Sequence, residues 1–298
     1  MRRSGEYDAF GPWTDVVRTC EELPRLYGQA GIDPAEYRLV LKVPRDIERR
    51  NATPDMNLYD FLLAVEHDGL TVLQRQEALG GDTYTRVRIP SQQITALSDS
   101  VNLLDGQLEI HTYGGSTTIG YNATDPLPMQ RLVRLLRRMY LPAAAHPPGR
   151  AGSLAPVDLG GRDLNLVGAC QKVLRSAPQM RLVTAAQQQR TVPVGGWARR
   201  IVHRLRPSVL HASIVLADER EIALLHRRDR TGRGKADAHS VACTFLPRHR
   251  ITDVHVQPHE KYRHIEVITV ITGGSAISFP VRAGETAEAL LGLCAGDC

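Results

Sequence analysis

Two arginine-rich stretches hold the side chains of this sequence best suited to gripping another molecule. Gln187 to Ser208, QQQRTVPVGGWARRIVHRLRPS, supplies Arg190, Arg199, Arg200, His203, Arg204 and Arg206. Arg227 to Lys235, RRDRTGRGK, supplies Arg227, Arg228, Arg230, Arg233 and Lys235 against a single acid, Asp229. A guanidinium is planar, permanently charged and able to hold two oxygens at once, so arginines brought together select phosphate and carboxylate groups. Only Lys42, Lys172, Lys235 and Lys261 are lysine, so codon usage accounts for the type of cation but not for its clustering. Within the first stretch, Trp197 to Arg206 is amphipathic at helical spacing. Trp197, Ala198, Ile201, Val202 and Leu205 share one side; Arg199, Arg200, His203 and Arg206 share the other. Such a helix ordinarily covers its own domain's core. The alternative is that Trp197, Ile201 and Leu205 touch an anionic membrane or a partner.

Other chemistry finds little support. His249, His255, His259 and His264 lie close together, but Pro258 and a strand-like pattern deny them helical ligand geometry, and no cysteine or carboxylate cluster accompanies them, so no metal is expected. Cys20, Cys170, Cys243, Cys294 and Cys298 lack ligand spacing and read as free thiols. GxSxG, GxxxxGK[ST] and HExxH are all missing, so we expect a non-enzymatic chain with no catalytic residue and no cofactor. Aromatic residues make up 5% of the chain and only Trp197 falls in the basic loops, which leaves single-stranded nucleic acid without stacking platforms; no duplex-binding motif is present. The net charge of +5 with a pI near 9.1 suits acidic or anionic partners.

The elements that must position the arginines occur twice. Ile89 to Tyr121 returns, altered, as Leu246 to Pro280, and Leu58 to Arg75 aligns without gaps on Leu210 to Arg227. In the first copy, period-two strands run over Tyr37–Val43, Leu58–Val65, Leu70–Gln76, Tyr84–Ile89, Gln92–Val101, Gln107–Tyr113 and Ser116–Tyr121, with hairpin signals at Asp68-Gly69 and Gly114-Gly115. An amphipathic helix follows over Pro126 to Leu141, with arginines 131, 134, 137 and 138 on its polar side. A further helix precedes the strands in each copy, over Asp15–Tyr27 and Leu164–Ser176. Pro142 to Pro156 has no periodicity and reads as a linker, giving domains 1–141 and 157–298 joined by 142–156. No apolar run is long enough to span a bilayer, and no signal-peptide core follows Met1; the chain reads as cytoplasmic or peripheral to a membrane.

Seven strands with short hairpins and one C-terminal helix, with IPxxxI followed by LxIxT, a Gly-Gly turn and the helix, resemble the pleckstrin-homology (PH)-like fold, and in particular its bacterial, actinobacterial versions. The resemblance implies a mainly β (α+β) protein of two tandem PH-like, partly open β-barrels, each closed at one end by its helix. It also implies that the loops 187–208, 227–235 and Gly273-Gly274 meet at the open end of the second barrel. The tryptophan typical of the closing helix is missing from both copies. The first copy's corresponding loop mixes Arg45, Arg49 and Arg50 with Asp46, Glu48 and Asp55, so phosphoinositide binding is not implied there. The leading expectation is a binding module whose second copy takes an anionic ligand, a phosphate-bearing surface or an acidic protein. The alternative is a scaffold or homo-oligomer joined through exposed strand edges.

Overall fold

The computed structural model describes residues 3–78, 81–142, 159–161, 163–205, 207–233 and 239–295. The protein is mainly β, built from antiparallel sheets with few helices. It divides into two units. One holds Met1–Ile94, Leu104–Leu108 and Thr117–Leu141; the other holds Thr95–Leu103, Glu109–Ser116 and Pro142–Cys298.

In the first unit, α1 (Arg3–Ala9) precedes five strands, β1 (Asp15–Val16), β2 (Leu39–Pro44), β3 (Tyr59–Val65), β4 (Gly69–Gln76) and β5 (Thr83–Pro90), paired in that order. Hydrophobic and β-branched side chains dominate β2 to β4, and one sheet face closes over Tyr27, Val40, Leu58, Leu62 and Leu73. The helix expected over Asp15 to Tyr27 is not there. Asp15 and Val16 pair with Lys42 and Leu41, and the rest forms single 3-10 turns at Cys20–Glu22 and Arg25–Tyr27 on either side of Pro24, whose ring nitrogen has no hydrogen to donate.

The chain continues through β6 (Ile94–Asn102), β7 (Asp105–Thr112), β8 (Gly115–Asn122) and α2 (Leu127–Tyr140). Helix α2 buries Met129, Leu132, Val133, Leu136 and Tyr140, as its spacing predicts. Arg137, read with the polar side, is buried as well, because position 137 continues the 129–133–136–140 stripe.

The second unit contains α3 (Leu164–Ser176), β9 (Arg181–Ala186), β10 (Gln189–Arg190), β11 (Val192–Pro193), α4 (Trp197–Leu205), β12 (Ser208–Leu210), β13 (Ser213–Ala217), β14 (Glu221–His226), β15 (Thr231–Arg233), β16 (Val241–Pro247), β17 (Asp253–Pro258), β18 (Tyr262–Arg263), β19 (Ile265–Thr272), β20 (Ser275–Arg282) and α5 (Glu285–Ala295). Strands β6, β16, β14, β13 and β9 follow one another across one sheet, with Val241–Phe245 of β16 paired antiparallel to Leu97–Val101 of β6. A second sheet runs β17-β19-β20. Between them lies a core of Val215, Ile222, Leu224, Ile268, Phe279 and Leu290. Every residue of β14 is buried, with α3 packed on this strand and α5 on β20.

Glycine is required at the Asp68-Gly69 turn by close approach: a Cβ on Gly69 would stand 2.7 Å from the Ile89 carbonyl oxygen, whereas one on Gly114 would meet nothing within 4 Å. Gly69→Ala is therefore expected to lower stability by about 1–3 kcal/mol and Gly114→Ala to leave it nearly unchanged, as urea midpoints will show.

Candidate functional site

Strand parity sets the site. Along β14, Ile222 and Leu224 point into the core shared with β20, and His226, two residues on, must point the same way. On β13, Val215 and Ala217 face that core, which puts Ser213 and then His211 on the same side. On β20, Phe279 and Val281 face them. These side chains, with Arg230 and Leu290, line a solvent-connected cleft with room for about one water molecule. Polar side chains at three positions facing an apolar core between two sheets are the unusual feature.

The second basic loop reaches the cleft, and the first is tied to it through β12 without lining the cleft itself. β12 pairs with β10 on one side and β15 on the other, joining Arg190 to Val209 and Leu210 to Thr231 in register. Gly232, within β15, approaches so closely that a Cβ there would stand 2.5 Å from His211 Nε2. Gly273-Gly274, expected at the same end, instead packs against Tyr113. Cβ atoms on these glycines would fall 2.1 Å from the Tyr113 ring and 2.0 Å from its carbonyl oxygen. The segment that does join the first basic loop is 259–264: β11 pairs with β18, and Val194 N–H donates to the Lys261 carbonyl at 2.9 Å.

The candidate cations separate into three groups. Arg227, expected to face a ligand, is 1% exposed. It follows His226, so parity turns it to the opposite face, where it forms an ion pair with Asp163 at the start of α3 and donates to the Ser240 carbonyl at 2.6 Å. Arg228 is half-buried and donates to Ser100 Oγ at 3.2 Å. These two hold the fold together. Arg190 and Arg204 are exposed on β10 and α4. Arg199, Arg200 and Arg233 lie on described backbone in α4 and β15, their side chains outside the description, and Arg206 and Lys235 lie outside the described residues.

Arg230 and Arg227 both line the cleft, and Arg230 is the one stacked on its Phe279 wall. Its guanidinium stacks 3.8 Å from the Phe279 ring centre, donates to the Ser278 carbonyl and approaches both nitrogens of His226, Nη2 lying 3.2 Å from Nε2. Among the described residues no carboxylate lies within ion-pair distance, and burial pushes its pKa down to about 9. His226 Nδ1 lies 2.6 Å from the Arg227 carbonyl oxygen, which can only accept, and Arg230 can only donate; the ring is therefore neutral, with its hydrogen on Nδ1. Burial first, and the neighbouring Arg230 second, hold its pKa well below the ordinary value. His211, Ser213 and His226 escaped the reading of the sequence; the signal for them was polar character at core-facing positions of strongly apolar strands.

The aligned end of the first unit is built differently. Arg75, the counterpart of Arg227, is matched by acids: Nε lies 2.8 Å from Asp60, and Nη1 lies 3.1 Å from Glu77 and 3.4 Å from Asp82.

Helix α4 also departs from expectation. It was expected to cover core, yet Trp197, Ile201 and Leu205 are 77%, 50% and 77% exposed. The opposite side is the seated one: His203 Nε2 lies 2.9 Å from the Thr191 carbonyl oxygen, and its ring packs beside Tyr262.

Removing one partner of the buried pair, as in Asp163→Ala, leaves Arg227 an uncompensated charge and is expected to cost about 3–5 kcal/mol, while Asp163→Leu combined with Arg227→Met recovers most of it; chemical denaturation of the three variants checks both. His226 has a folded-state pKa below its ordinary value of 6.5, so its contribution is full above that pH and is lost as acid protonates the unfolded chain first. The urea midpoint should fall between about pH 6.5 and 5 by up to about 1.4 kcal/mol per pH unit for this residue, and His226→Gln should flatten that part of the profile. Among known protein families, curated proteins and solved structures, none matches this chain.

Proposed function

We propose that the chain is a tandem of two PH-like units, that it acts by binding rather than by catalysis, and that its second unit receives an anionic group at Arg230. One observation carries this reading: a half-buried guanidinium, with no carboxylate partner among the described residues, in a cleft also lined by His211, His226 and Ser213. Taking a guanidinium out of water costs free energy that only an opposite charge recovers in full. A guanidinium suits the charged head of a ligand, a phosphate or a carboxylate.

The arrangement separates a binding arginine from a structural one. A charge retained for a ligand is a burden to the empty protein, so Arg230→Met is expected to leave the ligand-free chain at least as stable as the parent. The same substitution should abolish the rise in thermal midpoint that inorganic phosphate, pyrophosphate or a phosphate monoester gives the unaltered chain. Phosphate binding of equal strength in Arg230→Met, measured by titration calorimetry, would sink the assignment.

A further inference from the structure

Helix α4 has its apolar side turned away from its own domain. On a helical wheel, Trp197, Ile201 and Leu205 at spacing i, i+4, i+8 fall within one narrow arc, and His203 lies on the far side of the cylinder. His203 is the anchored residue, against the Thr191 carbonyl and Tyr262, so the anchor fixes the stripe outward. Three large apolar side chains, each at least half exposed, thus form a continuous ridge, and Val192 and Val194 are exposed in the neighbouring β11 segment. An isolated exposed leucine is ordinary; a ridge of this composition on an anchored helix is an interaction surface.

The charge around the ridge says what it meets. From Gln187 to Ser208 the chain carries five arginines and no aspartate or glutamate. Exposed Arg204 lies on α4 itself, exposed Arg190 precedes it, and Lys261 and Arg263 are exposed on the β18 side of the ladder that supports it. A second copy of the chain would bring the same positive charge against itself. An anionic bilayer surface accepts both halves of the pattern, the apolar ridge entering between headgroups and the cations remaining among lipid phosphates.

We infer that α4 is a membrane-docking helix, which lays Trp197, Ile201 and Leu205 into the interfacial layer of an anionic lipid surface. This surface is separate from the Arg230 cleft and stands without it.

Trp197 is its own reporter. The chain has two tryptophans, Trp13 and Trp197, so a Trp13→Phe background leaves emission from Trp197 alone. With vesicles of phosphatidylcholine containing about one-third phosphatidylglycerol, emission should shift to the blue and the protein should cosediment; with pure phosphatidylcholine neither should occur, and binding should weaken as salt rises from about 0.05 M to about 0.5 M. Ile201→Ser combined with Leu205→Ser should lower the partition coefficient at least about tenfold. Its thermal midpoint should be unchanged, because both residues are exposed. The double serine variant should still gain the same rise in thermal midpoint from inorganic phosphate as the parent, which separates failure of this inference from failure of the cleft. Four results would overturn it: no blue shift with anionic vesicles; equal partitioning of the double serine variant; a large fall in that variant's thermal midpoint, showing that the ridge is packed; or a blue shift given by soluble polyglutamate or by self-association rather than by vesicles.

Discussion

Strand β14 is buried along its whole length, and the pairing of Arg227 with Asp163 is the constraint that this burial imposes. A strand covered on both faces leaves no route to solvent for a side chain at its end, so the guanidinium that follows His226 must find its counter-charge inside. Asp163 supplies it from the first residue of the α3 region, which fixes where that helix starts relative to the sheet. Buried pairs of this kind add little net stability compared with apolar packing, but they tolerate few alternative arrangements. With Arg227 directed one way, the pleat directs His226 the other, and the polar lining of the cleft follows from the same alternation.

The second unit thus treats neighbouring cations in opposite ways. Arg227 is compensated within the fold; Arg230, three residues later, is enclosed against Phe279 and His226 with only carbonyl and ring acceptors. Burial first, and the neighbouring guanidinium second, disfavour an imidazolium at His226, which accounts for the downward direction of its shift. Net charge alone does not distinguish these arginines. Their surroundings do.

The strands were legible in the sequence because apolar and β-branched residues alternate at period two and because Asp68-Gly69 and Gly114-Gly115 mark turns. Helices α2 and α3 were legible from their spacing. The stretch Asp15 to Tyr27 misled because apolar residues at helical intervals outweighed Pro24, whose lack of a donor divides it into single turns. The clustering of arginines in two loops was readable, but not which of them is paired inside the fold: that depends on parity counted from β14 and on Asp163, 64 residues from Arg227. The wheel of Trp197 to Arg206 likewise defined two faces without saying which one is seated, because a single hydrogen bond from His203 to Thr191, outside the helix, decides it.

Gly273-Gly274 invites a reading as open space for a ligand, and the Tyr113 ring fills that space. Gly273 is held to its identity by its positive φ and by the Tyr113 ring, and Gly274 by the backbone carbonyl of position 113, so the constraint on both is steric. A glycine pair retained there would record this close approach of backbone, not any bound molecule.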